Sequence, residues 1–176
     1  WRRSSPTPPA NRVMGIRRAR LEDAAAIAEV HVRTWQAAYE HVFGAERLAG
    51  IDVAGREGLA RRFATDSEYD AFVADDDGRI VGFVACGVPE EPTEQRELFA
   101  IYVLPESWGS PAASGLMRAA LDDVRARGVS GAILWVLDDN PRARRFYERE
   151  GWHEDGSAES EYLGITVPLV RYRVVF

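Results

Sequence analysis

The sequence predicts an α/β chain of the α+β kind, with a single mixed, mostly antiparallel sheet of about seven strands flanked by four helices. Three observations predict it. Hairpin-like strands crowd the first half of the chain. Two strand–helix units follow in the second half, which calls for helices on both faces of the sheet. Hydrophobic residues make up 46% of the 176, enough for one core without disulfide or metal support.

Taken in order, residues 13–19 read as a short strand. Asp23 is expected to cap a helix in which Ile27, Val30, Thr34 and Ala38 fall at helical spacing, with Gly44 as its stop. A weaker helix spans 53–64, where Leu59 and Phe63 lie four apart. Segments 71–74 and 79–85 form a hairpin around Asp75-Asp76-Asp77-Gly78, because Asp and Gly tolerate the positive φ of a tight turn. Pro89 and Pro92 bracket an acidic loop holding Glu90, Glu91 and Glu94. Residues 97–103 form the central strand, and 111–127 a helix stopped by Gly128. A buried strand at 133–136 leads to a helix at 141–150, begun by Asn140 and ended by Gly151. Strands near 154–162 and 167–176 close the chain.

Residues 1–13, rich in Pro, Ser and Arg, are expected to be a disordered extension or non-native remnant, with Met14 a start and 14–176 the domain. The Arg2-Arg3 pair precedes no apolar segment, so it does not read as an export signal. No window approaches the roughly 18 apolar residues of a membrane span. With 28 acidic and 22 basic residues the net charge is −6, which argues against nucleic acid and suits a small amine-bearing partner. All the basic residues are arginine, so no lysine can serve as a Schiff base. Cys86 stands alone in an apolar strand, which suggests a reducing, cytoplasmic setting and a core role rather than a nucleophile. His31, His41 and His153 lack ligand spacing, so no metal is expected.

The stretch Leu134-Trp135-Val136-Leu137-Asp138-Asp139-Asn140-Pro141-Arg142-Ala143-Arg144-Arg145-Phe146-Tyr147-Glu148-Arg149-Glu150-Gly151-Trp152 resembles the second signature of the GCN5-related N-acetyltransferases. Upstream, Glu97-Leu98-Phe99-Ala100-Ile101-Tyr102-Val103-Leu104-Pro105 resembles the strand that opens that family's first signature. The order of elements matches from about Ile16 to Phe176. The resemblance implies acetyl transfer from acetyl-coenzyme A to a primary amine by direct attack in a ternary complex, without a metal. Two other readings stay open: a coenzyme A-binding or regulatory module whose catalysis has decayed, and an acyltransferase with a different acyl donor. In relatives the closing strands often support dimerisation, so a homodimer is implied too.

One stretch departs from the family pattern. Where relatives carry Gln/Arg-x-x-Gly-x-Gly/Ala, this chain reads Trp108-Gly109-Ser110-Pro111-Ala112-Ala113-Ser114-Gly115. That loop holds the coenzyme's pyrophosphate on backbone N–H groups, and Pro111 has none. One such bond to a charged group is worth about 1.5–3 kcal/mol. Ser110 as N-cap and Pro111 at N1 would still start the helix well. The N–H groups of Gly109, Ala112, Ala113 and Ser114 are expected to remain available.

By resemblance, Tyr147 gives the departing thiolate its proton. A phenol near pKa 10 protonating a thiolate near 8.5 is uphill by only about 2 kcal/mol. Asn140 is implied in holding the pantetheine arm while also capping its helix. The Val103 backbone resembles the family's oxyanion donor and pantetheine partner. Glu97 matches a Glu that takes the amine proton through water, and reads equally as a solvated strand-end residue. Tyr102 could line the acceptor channel or belong to the core. Trp35, Tyr39, His41 and Phe43 fall where relatives build the acceptor pocket, although an aromatic stripe of this kind more often belongs to the core.

Overall fold

The computed structural model describes residues 14–90 and 94–176, so the expected extension at 1–13, and Glu91 and Pro92 of the acidic loop, lie outside the described residues. The strands are β1 Met14–Arg18, β2 Tyr69–Asp76, β3 Arg79–Gly87, β4 Arg96–Val103, β5 Gly131–Leu137, β6 His153–Tyr162 and β7 Ile165–Val175. The helices are α1 Ala24–Phe43, α2 Ala45–Ala49, α3 Val53–Thr65, α4 Ala112–Ala126 and α5 Pro141–Arg149. The strands form one sheet in the order β1-β2-β3-β4-β5-β7-β6. Among the described residues only β4 and β5 run parallel. The fifth helix, α2, is a short segment between Gly44 and Gly50, too brief to show a helical period in sequence.

Turn chemistry sets the hairpins. Asp77 and Gly78 take φ of 57° and 86°, the left-handed pair that matches the twist of β2 and β3. The Gly78 N–H donates to Asp75 Oδ1 at 2.7 Å, which locks the turn.

β3 is buried from Val81 to Gly87, which requires helices on both sides. Phe83 meets the His31 ring of α1 on one face, while Gly82 lies against Leu116 of α4 on the other. α3 packs beside α1.

Two acids anchor this layering. Asp70, 5% exposed on β2, accepts from Arg18 at 3.2 Å, from Arg96 at 2.9 Å and from Arg127 at the end of α4. Asp23 departs from its expected role, for its carboxylate does not cap α1. It closes the preceding 3-10 turn by accepting from the Arg20 N–H at 2.8 Å and pairs with Arg17 at 2.7 Å.

The feature that positions the site is a split in the sheet. β4 and β5 pair only at Arg96–Ala132 and Glu97–Ile133. Opposite β3, Ala100 faces Ala85 and Leu98 faces Cys86, which leaves Phe99 as an extra, bulged residue. A bulge bends its strand and ends regular pairing, and beyond this one β4 and β5 diverge. Gly87 makes the bulge possible, since a Cβ there would come within 2.7 Å of the Phe99 ring.

Candidate active site

The diverging halves of β4 and β5 enclose a cleft of about 680 Å³, closed off by α1, the loop before α4, and α5. The strand backbone supplies its first polar groups. The Leu104 N–H donates to Val81 O at 2.8 Å, so Leu104 and Tyr102 turn their peptide groups to β3. By strand alternation, Ile101 and Val103 turn theirs into the gap. The Val103 carbonyl is already occupied, accepting from Thr34 Oγ1 at 3.1 Å and Trp108 Nε1 at 2.8 Å. The Val103 N–H and the Ile101 peptide group therefore face the cleft.

The loop before α4 differs from its expected form. α4 begins at Ala112 with Pro111 as N-cap, so Ser110 lies one position before the cap rather than at it. The reason is a turn: the Ser110 N–H bonds back to Ser107 O, and Pro111 at φ −67° and ψ −4° continues that turn. Ser110 Oγ accepts from the Ala112 N–H at 3.3 Å, so this donor is partly engaged. Among the described residues the N–H groups of Gly109, Ala113 and Ser114 have no protein acceptor. Trp108 does more than replace a polar residue. Its indole fixes the Val103 carbonyl, and the Arg142 guanidinium lies over its ring, 3.1 Å from the centroid.

α5 forms the opposite wall. Asn140 caps it by accepting the Ala143 N–H at 3.1 Å, and donates its Nδ2 to the Tyr39 hydroxyl at 3.1 Å. Arg142, Arg145 and Arg149 follow at i, i+3 and i+7, and all three line the cleft together with Phe146 and Tyr147. Their neighbour Arg144 is held away by Asp138 and by Glu154 at 2.8 Å. No Asp or Glu lines the cleft, so among the described residues its wall is cationic in a chain of net charge −6.

Tyr147 is 7% exposed, with its ring 6.3 Å from Trp152 and 5.8 Å from Tyr172. Burial pushes its phenol well above the ordinary tyrosine value, so the hydroxyl keeps its proton. Burial acts in the same direction on Tyr39 and Tyr102. Tyr102 stacks on His31 with centroids 4.9 Å apart, and Trp35 meets Tyr39 edge-on at 5.0 Å.

The cleft thus gathers Trp35, Tyr39, Tyr102, Val103, Gly109, Ser110, Ala113, Ser114, Asn140 and Tyr147. It does not gather Glu97, which sits half-buried where β4 still pairs with β5, nor Ala112, which is fully buried. His41 turns outward to Asp139, and Phe43 belongs to the core. Cys86 is buried and its thiol is pushed up to about 12 by that burial, consistent with a core residue. The sequence reading missed the role of Trp108 and the arginine face of α5. The i, i+3, i+7 spacing of those arginines was visible, but it says nothing of which way the face points.

Comparison with known proteins agrees with this architecture. Residues 24–152 match the family model described as Acetyltransferase (GNAT) family. The chain is 30% identical over 129 residues to the uncharacterized N-acetyltransferase YuaI of Bacillus subtilis, covering 72% of this chain and 73% of that protein. It is 31% identical over 154 residues to an uncharacterized N-acetyltransferase of Archaeoglobus fulgidus, covering 84% and 100%. Among solved structures, the PaiA N-acetyltransferase of Thermoplasma acidophilum in complex with coenzyme A superposes with a TM-score of 0.73 at 17% identity, over 90% of this chain and 98% of that one. yncA of Salmonella typhimurium, solved with its cofactor acetyl-CoA, gives 0.73 at 19% identity, over 93% and 94%.

Proposed function

The chain belongs to the acetyltransferase (GNAT) family, and on that premise we propose that it transfers an acetyl group from acetyl-coenzyme A to a primary amine by direct attack in a ternary complex. One observation carries the reading: the split between β4 and β5 exposes strand peptide groups beside a wall that holds three arginines and a buried phenol. Such a wall fits a polyanionic ligand with an amide-bearing arm. Arg142, Arg145 and Arg149, with the N–H groups of Gly109, Ala113 and Ser114, would hold its phosphates. The Ile101 and Val103 peptide groups would align the arm in the way that a neighbouring strand would. These contacts compensate for the N–H that Pro111 lacks.

The coenzyme supplies the acetyl group as a thioester. The Val103 N–H would steady negative charge on the carbonyl oxygen as the nitrogen–carbon bond forms. Tyr147 would give a proton to sulfur as the carbon–sulfur bond breaks. Burial keeps the phenol protonated at physiological pH, so Tyr147 would act as a proton donor and not as a base. The proton that the amine sheds needs a route out. Glu97 lies off the cleft wall and serves as base only through water.

The test is a calorimetric titration with acetyl-coenzyme A, followed by a broad amine panel. Micromolar binding with turnover is the expected result. Binding without turnover of any amine supports the decayed coenzyme-binding module. Absence of binding overturns both and leaves a different acyl donor.

A further inference from the structure

A second cavity of about 270 Å³ lies beside the cleft, walled by His31, Trp35, Arg56, Phe63, Tyr69 and Tyr102 among others. It shares Trp35, Phe99, Ala100, Tyr102 and Tyr162 with the main cleft, so the two are adjoining rooms divided by these side chains. Resting on the transferase reading, we propose that this second cavity is the acceptor subsite and takes an amine whose far end carries a carboxylate, with Arg56 as its counter-ion.

Three features carry the assignment. Arg56, on α3, is half-buried over the Trp35 ring at 5.7 Å from its centroid, and among the described residues no Asp or Glu lines the cavity with it. A guanidinium held against apolar walls without an acid favours an anion arriving from outside. His31 is only 7% exposed, lines the same cavity, and its Nε2 has no hydrogen-bond partner. Buried polar atoms are normally satisfied, so an orphaned one facing a cavity is a place for a ligand atom. Burial, helped by the charge of Arg56, holds the imidazole down to about 3. His31 is therefore neutral at physiological pH and supplies a hydrogen bond rather than a second charge. The remaining wall of Trp35, Phe63, Tyr69 and Tyr102 fits an apolar or flat body between the two ends of the acceptor.

The direction of the acceptor follows. Tyr102 fronts both cavities, and its chain neighbour Val103 turns its N–H into the cleft. A carboxylate against Arg56 leaves the amine end free to enter the cleft past Tyr102. A polycationic amine would instead place positive charge beside Arg56.

Matched acceptor pairs test this: 4-(aminomethyl)benzoate against benzylamine, and 4-aminobutanoate against butylamine, in the wild type, Arg56→Gln and Arg56→Lys. The acids are expected to show kcat/KM about tenfold to a hundredfold above their twins. Arg56→Gln should erase that ratio and Arg56→Lys should keep part of it, while calorimetry shows that both variants still bind acetyl-coenzyme A. Preference for the uncharged-end amines, or a ratio that survives Arg56→Gln, overturns the proposal. If the wild type does not bind the coenzyme, the transferase reading fails by itself, and the subsite is then decided by thermal shift with 3-phenylpropanoate. A stabilisation lost in Arg56→Gln supports the anion site, and no stabilisation of the wild type overturns it.

Discussion

Tyr147 is packed on three sides by aromatic rings, yet it also lines the cleft, and these two facts lead to different expectations for its removal. Tyr147→Phe keeps the ring and deletes only the hydroxyl. If the hydroxyl protonates sulfur, kcat should fall about 100-fold or more while the coenzyme Kd, read by calorimetry, moves less than about twofold. A tyrosine present only for packing would leave kcat nearly unchanged. Because burial raises the phenol far above its ordinary value, ionisation of Tyr147 should add no alkaline limb to the rate profile between pH 7 and about 10. Trp108 illustrates a different point at this scale. As a sequence symbol it looks like a lost polar group, but in space its N–H binds the Val103 carbonyl and its face receives Arg142.

At the scale of elements, α5 and the end of α4 carry separate predictions. The α5 face of Arg145 and Arg149 is exposed, so its contribution to an anionic ligand should be electrostatic and screened. The double variant Arg145→Ala/Arg149→Ala should weaken acetyl-coenzyme A binding by about tenfold or more, and flatten the dependence of Kd on salt. The end of α4 is instead tied to the sheet through Asp70, which gathers Arg18, Arg96 and Arg127. Asp70→Ala would leave Arg96, 11% exposed, without its acid. A buried charge stripped of its partner destabilises by about 3–5 kcal/mol, to be read from urea unfolding. The short helix α2 and the relocated cap at Pro111 show why boundaries escape sequence reading. Both are set by turn hydrogen bonds of single residues rather than by any period.

The whole molecule adds a pH dependence of stability. The Arg17 guanidinium, hydrogen-bonded to Asp23, holds that carboxyl below the usual aspartate range, with the Arg20 N–H acting the same way and burial opposing. A depressed folded-state pKa contributes stability above the unfolded value of about 3.9, and the contribution is lost as pH falls through the lower folded value. Urea midpoints should therefore drop as the pH falls below about 4. In Asp23→Asn that limb should be shallower on a lower plateau.

How much of this was legible depends on how far apart the deciding residues lie. The strands, the main helices, the Asp77-Gly78 turn and the Asn140 cap were readable because each depends on neighbours within a few positions. The signature from Leu134 to Trp152 located the cleft wall for the same reason. The bulge at Phe99 was not readable, since it exists only in the register between β3 and β4. Glu97 was readable as an acid at the strand's end, but that the strand bends beyond it and leaves it off the cleft wall was not.

The sequence by itself determined the order of elements, the family signature, and the presence of aromatic residues along α1. Local periodicity and turn chemistry suffice for those. Only the tertiary structure decided that an acidic chain would have a cationic cleft, that the Val103 carbonyl would be filled and its N–H turned to the gap, and that Arg56 and His31 would share a cavity. Those outcomes require side chains from α1, α3, β4 and α5 to converge, and long-range convergence leaves no local pattern to read.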